Sequence, residues 1–390
     1  MKQFIDVPLP KWKNLLSALI SFKNTDNEII KSWVSNKDLG FSFSRSSWSL
    51  YFIAKLRQQY SGKDKITIWV PDYFCDSALK LLRTLKVTLI FYPIRENNLL
   101  LKKDLTIFLK NNPKPDLFIA THYFGKKINL DASLDFCEVN NIWLIEDCVH
   151  IFKNIKHESK SHFKIFSPYK YLAIPDGAIL VINMNKFLSK DKIFFTKAYK
   201  NLLNEFELKI SKTYLWFFKR IFQKLGYRRK LKFSDFNNDG LSDVSSTLPG
   251  PKISNLSLKL LASEPLDFES EQEIRWKNYR SWRNKIHDEL FPELEIISPY
   301  LFPYSFVNLE NEPKITNLIL SKKLKELKKA KIPFYSWPDL PPEVEENPEN
   351  HKFAINLKRQ IIFLPIHSSI NPYDLLMRID RLNLLTRNEN

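Results

Sequence analysis

Between Ser46 and Phe166 the chain alternates segments of helical periodicity with short apolar runs, and this alternation restricts the fold more than any other feature. Helical spacing over Ser46 to Tyr60, Ser77 to Leu85, Leu101 to Lys110 and Ala132 to Val139 separates expected strands at Ile66 to Val70, Val87 to Tyr92, Leu117 to Thr121 and Ile142 to Ile145. Two further apolar runs follow, Phe163 to Phe166 and Ala178 to Ile182. Strands that return through helices pair in parallel and are covered on both faces, so the expected class is α/β with a mostly parallel central sheet. Ligands of such sheets sit at the carboxyl ends of the strands. The residues to inspect are therefore Pro71-Asp72-Tyr73-Phe74, His122-Tyr123-Phe124-Gly125, Glu146-Asp147-Cys148-Val149-His150 and the polar kink that carries Lys170.

After Asn183 the pattern changes. Residues 187 to 233 read as a helical, aromatic and basic insertion, Leu231 to Gly250 as a loop, and Leu256 to Leu290 as a long helical stretch. Strand Ile361 to Leu364 and helices Ile315 to Lys329 and Tyr373 to Leu384 complete an α+β remainder. The expected division is a large α/β domain over 1 to 250 and a smaller C-terminal domain over 251 to 390. A chain of 390 residues with 44% hydrophobic content is globular and long enough for both. Its formal charge of +17 favours anionic partners. The three cysteines, Cys75, Cys137 and Cys148, have neither disulfide nor metal-ligand spacing, which fits a reducing cytoplasm. Leu15 to Phe22 is too short to cross a membrane and is expected to pack as a helix.

Three features at the strand ends point to one chemistry. Asp147 is carried to the sheet rim, where a carboxylate can hold a protonated ring nitrogen. Ser46 and Ser47 open a helix whose free N–H groups suit a phosphate. Lys170 offers an amine which, in a dry pocket, condenses with an aldehyde. Each has a commoner explanation alone: a turn carboxylate, a pair of helix caps, a solvated loop lysine. Together they are what pyridoxal phosphate (PLP) requires.

Four stretches then resemble the DegT/DnrJ/StrS family of PLP-dependent sugar aminotransferases, of the aspartate aminotransferase fold (type I). SRSSWSLYFIAKL (Ser44 to Leu56) is similar to the family's Gly-Thr helix, and WVPDYFCDSAL (Trp69 to Leu79) to its Val-Pro strand end. HYFG, Asp131 and IEDCVHIF resemble its His-x-Tyr-Gly and Ile-Glu-Asp motifs, and FSPYKYLAIPDGAILV its lysine loop. The resemblance implies PLP as cofactor, with Lys170 as the lysine that takes up its aldehyde and then serves as the base. Asp147 becomes the pyridine-nitrogen partner, His150 the residue near the ring oxygen, and Ser46, Ser47 and Ser167 the phosphate contacts. Family dehydratases carry histidine at the lysine position, so the lysine here favours transamination, from glutamate to a keto sugar on a nucleotide diphosphate, in surface-polysaccharide or related sugar biosynthesis. A homodimer is implied as well.

The sequence departs from the family in places. The ring-stacking aromatic maps to Cys75 with Phe74 beside it, the second glycine of the lysine loop is Ala178, and the Asn-x-Arg motif maps to Gly250-Pro251-Lys252. These departures leave open a non-catalytic binding protein on the same fold, or PLP chemistry of another kind. In the stretch 213 to 233, aromatics alternate with Lys219, Arg220, Lys224, Arg228, Arg229 and Lys230. It reads as a subunit contact with buried aromatics and solvated cations, or as a peripheral contact with an anionic membrane; position beside a large core favours the first. No nucleic-acid motif accompanies the charge, and no metal is expected.

Overall fold

A computed structural model describes residues 4, 5, 7–19, 29–95, 101–152, 160–206, 213–227, 249–263, 268–286, 290, 291, 293–305 and 324–382. Seven strands form the main sheet: β1 (Leu39–Phe43), β2 (Ile66–Pro71), β3 (Val87–Tyr92), β4 (Leu117–Thr121), β5 (Trp143–Cys148), β6 (Phe163–Phe166) and β7 (Ala178–Ile182). Their spatial order is β1-β7-β6-β5-β4-β2-β3. The five strands from β6 to β3 are parallel, and β7 runs antiparallel to both of its neighbours. The expected mostly parallel α/β sheet is therefore the observed one. Every residue of β4, β5, β6 and β7 is buried, as continuous apolar runs in a sheet covered on both faces require.

The covering helices include α1 (Trp12–Leu19), α2 (Ser46–Ser61), α3 (Asp76–Leu79), α4 (Lys102–Asn111), α5 (Asp131–Val139), α6 (Asp191–Glu205), α7 (Thr213–Lys224), α8 (Asn255–Ser263) and α9 (Phe268–Arg283). Helix α2 stops at Gly62, whose φ of 67° is the left-handed conformation that ends a helix and suits glycine. The segment expected as one helix over Ser77 to Leu85 is instead the single turn α3 followed by a 3-10 turn at Leu82–Thr84. The stretch expected from Leu256 to Leu290 is divided into α8 and α9, with Pro265 in the sequence between them.

A second sheet pairs β8 (Phe302–Ser305), β10 (Ile361–Leu364) and β9 (Tyr335–Ser336), in the order β8-β10-β9, all antiparallel. A separate apolar cluster lies behind it, built on Phe4, Tyr279, Trp282, Phe302, Leu327, Ile362, Leu375 and Ile379. Helices α10 (Pro342–Glu345), α11 (Lys352–Gln360) and α12 (Pro372–Ile379) complete the described chain. The loop expected from Leu231 to Gly250 lies outside the described residues except for Pro249 and Gly250, as does the helix expected at Ile315 to Lys329 before residue 324. Among the described residues no helix is long and apolar enough to cross a membrane.

Strand register determines what meets at the rim. Thr121 lies opposite Asp147, Asp147 opposite Ile165, and Cys148 opposite Phe166, so the residues after β4, β5 and β6 leave the sheet side by side. Phe43 at the end of β1 lies opposite Ala178 at the start of β7, which brings Ser44 to Gly177. The Gly177 amide donates to the Ser44 carbonyl at 2.9 Å. The α2 N-terminus, the Lys170 turn and the end of β5 thus share one edge.

Candidate active site

Lys170 closes a 3-10 turn, Pro168–Lys170, set directly after β6. Its amide donates to the Ser167 carbonyl at 3.0 Å, which fixes the turn, and its side chain remains half-buried. Lys170 Nζ lies 3.1 Å from His150 Nε2. The imidazole is 4% exposed and lies between two rings, Phe124 at 5.6 Å and Tyr300 at 4.6 Å between centroids, both nearly parallel to it. Burial, and then the charge of Lys170, lower the His150 pKa well below its ordinary value, so the ring is neutral at physiological pH. The Phe124 amide donates to its Nδ1 at 3.3 Å. A neutral imidazole that accepts at Nδ1 carries its proton on Nε2, facing Lys170.

The Phe124 amide reaches this position through a distorted turn. Phe124 and Gly125 both have left-handed φ, at 54° and 82°. At Gly125 a Cβ would come within 1.7 Å of the Ser298 carbonyl oxygen, so both backbone shape and close approach require glycine. Left-handed non-glycine residues cost about 1 to 3 kcal/mol and cluster at functional sites.

Asp147 is 4% exposed and accepts the Val149 amide at 3.1 Å. Burial pushes its pKa up to about 6, and the positive charge of Lys170 and the Val149 hydrogen bond only partly oppose this. The neighbouring Glu146 behaves in the opposite way. Burial would raise it, yet His122 at 2.9 Å, Lys164 at 3.7 Å and the Ser161 hydroxyl at 2.9 Å hold it down to about 2. His122 accepts the Ile128 amide at Nδ1, so its Nε2 proton is directed at Glu146. Adjacent carboxylates on one strand are therefore tuned apart: Glu146 is satisfied as an anion, while Asp147 lacks enough positive partners.

Of the other expected residues, Ser167 is 1% exposed and its hydroxyl has no hydrogen-bond partner among the described residues. Ser46 and Ser47 occupy the first turn of α2, but the N-cap is Arg45 and no side chain caps the helix. The serines thus stand next to first-turn amides that no cap occupies. The Arg45 guanidinium sits 4.3 Å over the ring of Tyr169, next to Lys170, which ties the helix start to the lysine turn. The segment after Pro249 packs against the same corner: Ser44 Oγ donates to the Gly250 carbonyl at 2.6 Å, and Trp48 Nε1 to that of Pro249 at 2.8 Å. Phe74 is buried and Cys75 half-buried, with Cys75 Sγ 2.9 Å from Ser77 Oγ. The ring contacts on His150 come from Phe124, Tyr300 and Trp337 instead.

Tyr300 and Trp337 belong to the later part of the chain. Trp337 stacks on Tyr73 at 4.2 Å and meets the His150 ring edge-on at 6.1 Å. Arg275 is also structural: it donates to the carbonyls of Tyr171 at 2.9 Å and Tyr300 at 3.1 Å and pairs with Glu271, joining the lysine turn to α9 and to Tyr300. Together Lys170, His150, Asp147 and Ser167 make a rim site with an amine, a neutral imidazole, a carboxylate short of cations and an unpaired hydroxyl.

No protein-family model matches the chain. Solved structures do. Helicobacter pylori PseC, an aminotransferase involved in the biosynthesis of pseudoaminic acid, aligns over 98% of this chain and 100% of its own, with a TM-score of 0.64 and 15% identity. A DegT DnrJ EryC1 StrS aminotransferase from Brucella abortus covers 95% of this chain and 90% of its own, at a TM-score of 0.62 and 12% identity. Spr1654 from Streptococcus pneumoniae, named as a sugar aminotransferase and solved in PMP and PLP forms, has a TM-score of 0.68 at 13% identity in the first form, covering 97% of this chain and 96% of its own. At such identities the likeness establishes the fold, that of the type I PLP-dependent aminotransferases, across nearly the whole chain.

Proposed function

We propose that this chain is a PLP-dependent aminotransferase that moves an amino group, with glutamate as donor, onto a keto sugar carried on a nucleotide diphosphate. The observation that carries the proposal is the convergence of Lys170, His150 and Asp147 at one rim of this fold, with the unpaired Ser167 hydroxyl three residues before the lysine. The residues fit the cofactor. Asp147, held up near 6 by burial, gains from a cationic ring nitrogen at its side, and Ser167 gains a partner in a phosphate oxygen. Ser46 and Ser47, with the first-turn amides of α2, are the remaining phosphate ligands. Phe74 and Cys75 are assigned to the ring's surroundings.

When bound, PLP supplies an aldehyde that condenses with amines and a protonated ring that withdraws electrons. The protein's residues do the rest. His150 Nε2, 3.1 Å away, orients the Lys170 amine. Lys170 then acts as the base that takes a proton from the α-carbon of the amino donor and returns one at the opposite end of the exchange. Asp147 keeps the ring nitrogen protonated. Phe124, Tyr300 and Trp337 exclude water around His150. The positive net charge suits a sugar nucleotide. The fold neighbour PseC, acting in pseudoaminic acid biosynthesis, supports a sugar substrate; a homodimer is assigned on the family resemblance and a cytoplasmic location on the cysteine pattern.

The test is a spectrum. Purified protein with added PLP should show the visible absorbance of lysine-bound cofactor, and borohydride followed by peptide mass analysis should place the reduced adduct on Lys170. Glutamate should then convert the absorbance to that of the aminated cofactor. Protein that takes up no PLP refutes the assignment and leaves a binding protein on this fold; uptake without conversion by any amino donor points to another PLP reaction.

A further inference from the structure

Two helices turn apolar side chains away from the body. On α7, Trp216 and Phe217 pack against the main core and Arg220 is buried, but Tyr214, Leu215, Phe218, Phe222 and the adjoining Leu225 are each more than half exposed. At 3.6 residues per turn these five positions fall within an arc of about 100°. On α1, Leu15 and Ala18 are buried, while Trp12, Leu16 and Leu19, at steps of four and three, are about half exposed or more. The two stripes meet where Lys224 Nζ lies 5.3 Å from the Trp12 ring centroid. The aromatics expected to be buried in the 213 to 233 stretch are thus split: some anchor the helix, and the others form an exposed face continuous with that of α1. Outward apolar faces of this kind mark interaction sites.

The charges on this face have one sign. Lys11, Lys13, Lys219 and Lys224 flank it, and neither 7–19 nor 213–227 contains an aspartate or glutamate. The sequence continues with Arg228-Arg229-Lys230, beyond the described residues. A twofold contact of this face with a second copy would bring like charges together, and lysine is depleted from such contacts. Tryptophan, tyrosine and phenylalanine ringed by lysines instead match the boundary between lipid headgroups and acyl chains, where rings enter and ammonium groups meet anionic headgroups. We propose that the joint face of α1 and α7 docks the protein on an anionic lipid bilayer. The proposal is independent of the reaction assigned above.

Vesicle co-sedimentation of the full chain tests it. Binding is expected to mixed phosphatidylcholine–phosphatidylglycerol vesicles and much less to phosphatidylcholine alone. Lys219→Gln and Lys224→Gln should each weaken binding about fivefold. Phe218→Ser with Phe222→Ser leaves the charge unchanged and should weaken it about tenfold or more per ring. Trp12→Ser with Leu16→Ser, on the other helix, repeats the test if the first pair unfolds the protein. Absence of binding to the anionic vesicles overturns the proposal, as does binding indifferent to removal of the rings, which would be attraction of a basic protein to any anionic surface. A fall in sedimenting mass in the ring variants, without vesicle binding by the wild type, overturns it in favour of a contact between copies.

Discussion

Replacing Asp147 by asparagine should stabilise the cofactor-free protein, and the gain should depend on pH. A carboxyl raised from its ordinary 3.8 to about 6 favours the folded state most when protonated. That contribution is complete below about pH 4 and is lost as pH rises through about 6. At about 1.4 kcal/mol per pH unit, the ionised group costs the fold about 3 kcal/mol at pH 8 and about half of that at pH 5. Asparagine keeps an acceptor for the Val149 amide and removes the charge. Urea unfolding of Asp147→Asn and wild type, both free of cofactor, should therefore differ by about 3 kcal/mol at pH 8 and about half as much at pH 5. Saturating PLP should reverse the order at pH 8, because only the carboxylate gains a cationic partner. The reasoning is refuted if the variant is the less stable at pH 8 without cofactor, or if the difference is the same at both pH values.

Lys170→Ala should abolish the borohydride-fixed adduct and lower the glutamate half-reaction by about 10²- to 10⁴-fold or more, read by stopped-flow absorbance. Ser167→Ala removes a buried hydroxyl without a partner; it should stabilise the cofactor-free protein by about 1 kcal/mol in thermal unfolding and weaken PLP binding in titration. Glu146, held at about 2 against an ordinary 4.5, contributes stability above about pH 4.5 that is lost as pH falls through about 2. Glu146→Gln leaves Lys164 and His122 without their anion and should cost about 3 to 5 kcal/mol at pH 7, with the cost shrinking below pH 4 in acid-unfolding curves.

How much could be read in advance depended on whether the signal was local. β3, β4, β6 and β7 stand at the expected bounds because each is an apolar run between turn residues. β1 carries no comparable signal: LGFSF is short, and its place is fixed by pairing with β7, far along the chain. β8 holds Pro303 and β9 has two residues, so neither carries strand periodicity. At the site, Lys170, Asp147, His150 and Ser167 were legible because a strand end and a turn place them within a few residues of each motif. Tyr300 was not, since its contact with His150 arises only when the later chain folds back over the rim. The serines of α2 show a subtler limit. Sequence suggests caps, but strand β1 delivers Arg45 into the cap position and leaves the hydroxyls in the first turn.

The chain's later third also has a consequence for biogenesis. Arg275 links the carbonyls of Tyr171 and Tyr300, and His351 pairs with Asp72 at 3.0 Å below the end of β2. A ribosome releasing this polypeptide therefore delivers Lys170 long before the later residues that pack against its turn. Until Tyr300 has emerged, His150 beside Lys170 lacks one of its two flanking rings, so completion of the reactive centre is a late event of synthesis.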